Sequence, residues 1–89
     1  NQWSVVVGSY AKSEGALADL AEIQKRFPNR FQAIVCEPLG GPDIRYRVVI
    51  GRYLSYADAT KLKMDAIGAG LSPDTWVWNP FDMKKSIYQ

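Results

Sequence analysis

Apolar residues are distributed along this chain in two alternating styles, and the alternation is repeated. A β-branched run, Val5-Val6-Val7, ends at Gly8-Ser9-Tyr10, and a polar stretch then leads to Ala16. Later, Val48-Val49-Ile50 ends at Gly51-Arg52-Tyr53, and a polar stretch leads to Ala59. In both copies the glycine precedes the tyrosine by two positions and the alanine by eight. Such self-similarity predicts one strand-and-helix unit used twice. Each copy reads as a strand, a glycine stop and a helix.

The first helix is predicted over 13–27, with Ser13 as N-cap and Glu14 at the positive helix start. Ala16, Leu20, Ile23 and Phe27 recur at three- and four-residue steps and form one apolar stripe. Lys25 and Arg26 suit its C-terminal end, and Pro28 follows. The second helix is predicted from Ser55 to Gly68 or Gly70, with Ala59, Leu62, Ala66 and Ile67 as its stripe. Residues 31–37 and 75–78 are β-prone and end at Pro38 and at Asn79-Pro80. Gly40-Gly41-Pro42-Asp43 is a turn joining the second and third strands as a hairpin. The order β-α-β-β-α-β predicts an α+β fold of the ferredoxin-like kind, a four-stranded antiparallel sheet with two helices on one face. The expected division is a domain at 1–80 and a C-terminal tail at 81–89, the tail with room for a short helix.

Period two then assigns the faces. Arginine does not sit unpaired under a helix. Arg45 and Arg47 therefore mark the open side of the third strand, and Val48 and Ile50 its core side. The repeat places Val5 and Val7 in the core and Val6 on the open side. In the fourth strand Val77 suits the helix side, so Trp76 and Trp78 join the arginines. The second strand is apolar on both faces and its sides stay open. Two readings of the open-face residues stand side by side. The indoles are either stacking platforms or cover for the chain end. The arginines either bind a ligand, or belong to a solvated strand face, or form salt bridges to acidic groups of the helices.

Composition narrows the chemistry. The chain has 89 residues, 47% of them hydrophobic and 22% charged, as in an ordinary folded domain. Its net charge of +2 is too small to imply a nucleic-acid or membrane partner. There is no histidine, hence no imidazole base or ligand. The single cysteine, Cys36, cannot form an intrachain disulfide and reads as a buried inert thiol. No cofactor, metal site or catalytic residue is expected. Asp58, Asp65 and Glu22 read as solvated charges on helix surfaces, and Tyr10 and Tyr53 as rings packed at the sheet edge. Gly8 and Gly51 are expected to serve backbone geometry at the strand-to-helix turns. No segment is apolar for long enough to span a membrane, and no signal peptide is visible. The sequence opens within a strand-like segment, as expected of a domain excised from a longer protein.

Trp3-Ser4-Val5-Val6-Val7-Gly8-Ser9-Tyr10, followed by Ala16 and Leu20, resembles the opening of a SPOR domain. Tyr46-Arg47-Val48-Val49-Ile50-Gly51-Arg52-Tyr53, followed by Ala59, resembles its second half, so the resemblance covers about Trp3 to Trp78. It implies a non-catalytic module that binds peptidoglycan glycan strands lacking stem peptides, and a monomer is expected. It also implies a place in the periplasmic cell envelope, at the division septum, as part of a larger protein. The implied glycan-binding residues are Val6, Ser9, Arg45, Arg47, Trp76 and Trp78. A glutamine is common in the family at the Val6 position, and an aromatic residue occurs in some members at the Arg45 position.

Two other classes share the topology. RNA-recognition motifs stack bases on aromatic residues of the central strands. Here those positions hold Arg45, Arg47 and Val49, and the aromatic-rich run of that motif is missing. Small-molecule regulatory domains of this topology bind ligands between paired copies, and a ligand-linked dimer would distinguish them.

Overall fold

The computed structural model describes residues 2–80. The tail over 81–89 lies outside the described residues. Strand β1 (Trp3–Tyr10) leads into helix α1 (Ser13–Arg26). Strands β2 (Ala33–Cys36) and β3 (Tyr46–Leu54) follow, then helix α2 (Tyr56–Gly68) and strand β4 (Trp76–Trp78). The sheet order is β2-β3-β1-β4, every neighbouring pair antiparallel. This is the ferredoxin-like arrangement that the element order predicts.

The core lies between the helices and one sheet face. Val5, Val7, Val48 and Ile50 meet Ala16 and Ile23 of α1 and Ala59 and Ala66 of α2. The alanines let each helix approach the sheet closely, and the β-branched residues fill the pleat beneath them. Ala33, Val35 and Val77 pack on the same side, which settles the faces of β2 and confirms Val77. Trp3 meets Tyr56 edge to face at 4.9 Å, joining the start of β1 to the first turn of α2.

Several boundaries differ from expectation. Ser13 is already helical and Lys12 is the N-cap residue, with no side-chain cap bond. Ser55 does cap α2, its hydroxyl accepting from the Asp58 amide at 3.1 Å. Strands β2 and β4 are shorter than predicted. The glycines do not stop the strands, which run on to Tyr10 and Leu54. Each glycine lies at a bulge instead. Val6 pairs with Val49 and Gly8 with Val48, so Val7 and Gly8 together oppose one residue. Strict alternation from Val5 and Val7 would turn Ser9 toward the helices. The extra residue flips the parity, so Ser9 stands opposite Arg47 on the open face.

The second irregularity falls between the pairs Val5↔Ile50 and Trp3↔Leu54, where β3 carries Gly51, Arg52 and Tyr53 against Ser4 alone. Gly51 there has φ 68°, and a Cβ would come within 2.6 Å of Leu62 Cδ2. At Gly8 a Cβ would meet Asp19 Oδ2 at 2.5 Å, because Tyr10 folds back to donate its hydroxyl to that carboxylate at 2.6 Å. The repeated glycines thus meet different partners.

Candidate functional site

The sheet face away from the helices divides into two parts. One is closed. Val6, Val49 and Trp78 form a second buried cluster, with Ile34, Cys36 and Leu39 packed against it. The connection between β2 and β3 closes it further. Its turn bridges Gly40 and Asp43, with Gly40 and Gly41 at φ 103° and 59°, which L side chains rarely adopt. The turn delivers the Asp43 carboxylate to Arg47, whose guanidinium donates to it twice, at 3.0 and 2.7 Å. The Leu39 amide donates to the same carboxylate at 2.6 Å. Both partners are almost fully buried, and the Arg47 head lies 4.8 Å from the Trp78 ring centre. The Arg47 bonds hold the Asp43 carboxyl below its ordinary range, outweighing the upward push of burial. A buried bidentate pair of this kind fixes the loop on the sheet.

The other part is accessible. Trp76 stands opposite Val6 and keeps 40% of its surface exposed. Its ring centre lies 6.2 Å from that of Trp78. Across the sheet, exposed Arg45 donates from Nε to the Ser9 hydroxyl at 3.0 Å, and from a terminal nitrogen to the Ser9 carbonyl at 2.7 Å. Arg45, Ser9 and Trp76 thus come from three successive strand positions: the approach to β3, the end of β1, and β4. They offer a cation, a hydroxyl and an aromatic ring. Beside them a groove of about 430 Å³ runs along the edge of β1 and is bordered by both Ser9 and Trp76.

The six residues expected from sequence therefore share one face but not one environment. Ser9, Arg45 and Trp76 are reachable. Val6 at 1%, Arg47 at 5% and Trp78 at 4% exposure are backing, not surface. Acidic groups of the helices, one reading for Arg47, lie across the sheet; Arg47 pairs with Asp43. Sequence reasoning assigned Asp43 only a turn role and Leu39 none. An acidic residue four positions before a strand arginine was the available signal. Cys36 is half-buried, and burial pushes its thiol above the ordinary range against the opposing pull of Arg52 and Arg47. Tyr10 and Tyr53 diverge. Tyr10 is bonded to Asp19, whereas Tyr53 is 67% exposed at φ 60° beneath the Arg52 head.

This is an open-faced four-stranded domain whose accessible chemistry suits binding. Among the described residues no group of His, Cys, Asp and Glu is placed to hold a metal ion. Residues 1–73 match the family model of the SPOR domain. The chain belongs to the SPOR family, whose members are peptidoglycan-binding modules of bacterial cell-envelope proteins, linked to the cell wall and division and in general non-catalytic. No curated protein and no solved structure matches the chain. The matched segment stops before β4, so the placing of Trp76 and Trp78 rests on the strand pairing alone. Among the described residues no helix is long and apolar enough to cross a membrane.

Proposed function

We propose that this domain binds peptidoglycan glycan strands lacking stem peptides through the row Arg45, Ser9 and Trp76. In this reading it acts as a monomer and carries a parent envelope protein to the division site on the periplasmic side. The observation that carries the reading is the exposure of Trp76 on the helix-free face, beside a hydroxyl and a guanidinium. An indole stacks on the C–H face of a pyranose, and a guanidinium pairs with the lactyl carboxylate that muramic acid presents once its peptide is gone. The closed cluster beneath holds the row flat and contributes no direct contact.

The test is retention on purified sacculi, intact against amidase-treated. Retention is expected to rise after amidase treatment. Trp76→Ala is expected to cost roughly 1–3 kcal/mol of binding, by analogy with base stacking on aromatic side chains. Equal retention of the wild type and Trp76→Ala on treated sacculi would remove the row from the site.

A further inference from the structure

Strand β4 pairs with β1 only at Ser4, Val5 and Val6. Among the described residues no strand covers the same edge of residues 7–10. The chain before β4 is drawn away into a turn, the Thr75 amide and hydroxyl both donating to the Ser72 carbonyl at 3.1 and 2.6 Å. The groove of about 430 Å³ occupies the space so left, large enough for a small organic group. One wall is the bare edge of β1, the second is α1, and the third is the loop before β4. Trp76 also lines it. The carboxylates of Asp19 and Glu22 border it from α1 and that of Asp74 from the loop, against a single cation there, Arg26, which lies 5.0 Å from the Phe27 ring centre.

The surroundings of Trp76 are therefore polarised. On the sheet face the accessible row continues through Ser9 to the Arg45 cation, which is bonded to Ser9. Around the edge of β1 the lining is mainly anionic and rich in hydrogen-bond acceptors. A glycan of alternating N-acetylhexosamine and muramic acid has a matching alternation: one sugar is neutral and hydroxyl-rich, the next carries a carboxylate. We infer that the groove at the β1 edge is a subsite for the neutral hexosamine, seated on Trp76 with its hydroxyls donating to Glu22 and Asp74, while the acidic sugar lies over Arg45. The inference rests on the glycan-binding reading and adds the register of the ligand to it. The carboxylates act in two ways. They accept hydroxyl hydrogen bonds, which is favourable for a sugar that brings its own donors. They also repel the lactyl carboxylate, so the strand shifted by one sugar is rejected. The β1 backbone groups over 7–10 that point away from β3 suit the N-acetyl group, which is itself a peptide unit, whereas the Ser9 carbonyl is taken by Arg45.

The sign of one substitution effect decides the matter. The ligand is a polyanion, so general electrostatics predicts tighter binding when carboxylates are removed. A subsite that accepts hydroxyls predicts weaker binding. The probe is a soluble, peptide-free glycan oligosaccharide, titrated by tryptophan fluorescence, in its acid form and as the methyl ester of its muramic carboxyls. The double variant Glu22→Ala, Asp74→Ala removes the acceptors outright at two exposed positions and is expected to fold. It should lose about 5- to 10-fold in affinity for both forms of the probe, the size of one to two modest hydrogen bonds. Arg45→Ala should lose affinity for the acid form only. Equal or tighter binding by the double variant, with wild-type binding intact, overturns the subsite and leaves the glycan reading standing. Failure of the wild type to bind either form overturns both.

Discussion

Trp76 and Trp78 are two residues apart on one short strand and point to the same side of the sheet. They nevertheless belong to different regions. Around Trp78 the face is shut by Leu39, by the Asp43–Arg47 pair and by the cluster of Val6 and Val49. Around Trp76 it is open, and the polar groups nearby face solvent. The difference follows from where the β2–β3 connection lies. It folds over one part of the sheet and leaves the other bare. The lesson is that a helix-free face is not uniformly a binding face. One part of it stabilises the sheet, and the other is available to a ligand.

The two indoles give the sharpest way to break this comparison. Trp78→Ala removes a buried ring from a closed cluster and is expected to cost about 3–5 kcal/mol of stability. Trp76→Ala removes a ring already in solvent contact, so its stability cost should be well below that of Trp78→Ala and its main effect should fall on glycan retention. Chemical denaturation of both variants beside the sacculus assay reads the two effects separately. Comparable stability losses would mean the face is one region, not two.

Asp43→Ala probes the same closed part through its charge. It removes the carboxylate that both terminal nitrogens of the buried Arg47 address, and a loss of about 3 kcal/mol is expected. The pair also sets an acid limit. The Asp43 carboxyl titrates below its ordinary value near 4 in the folded state. Its contribution is therefore complete above about pH 4 and is lost as pH falls through the folded value. Denaturation midpoints measured between pH 7 and pH 2 should decline steeply in the wild type and less so in Asp43→Ala. Parallel curves would mean that Asp43 is not the group responsible.

Much of this arrangement was legible before any coordinates. The repeat of Val-Val-Val-Gly-Ser-Tyr and Val-Val-Ile-Gly-Arg-Tyr gave the element order. The cost of burying arginine gave the parity of the third strand, and in the fourth the small Val77, suited to the helix side, put both indoles on the other. What could not be read was burial on the open side, because period two assigns a face and says nothing of what folds over it. Leu39 and Asp43 act from a connection whose sequence signals only a turn. The bulges were hidden for a related reason. A glycine after a β-branched run is as consistent with a strand end as with an inserted residue. Only the pairing of Gly8 with Val48 shows that the strand continues and that Ser9 changes sides.

The smallest expected effect lies at the far end of the accessible part, where Ser9 is followed by Tyr10. The parity change that brings Ser9 to the open face turns Tyr10 back toward α1, and its hydroxyl donates to the Asp19 carboxylate at 2.6 Å. Burial, together with that bond and the negative charge of Asp19, pushes the Tyr10 phenol up to about 12. The neutral form is thus favoured in the fold. Its stabilisation is complete below about pH 10, the ordinary phenol value, and is lost as pH rises from there through 12. Tyr10→Phe keeps the ring under Gly8 and removes only the hydroxyl. It should cost about 1 kcal/mol at neutral pH, less than a fully buried bond to a charged group would, since the pair is partly solvated. Unfolding of the wild type should become easier between pH 10 and 12, and the variant should show a smaller change over that interval. Glycan retention at neutral pH should be close to wild type, because the Ser9–Arg45 contact does not depend on the phenol. A variant that folds normally but loses retention would show that the bulge conformation, and with it the side on which Ser9 stands, is held by this bond.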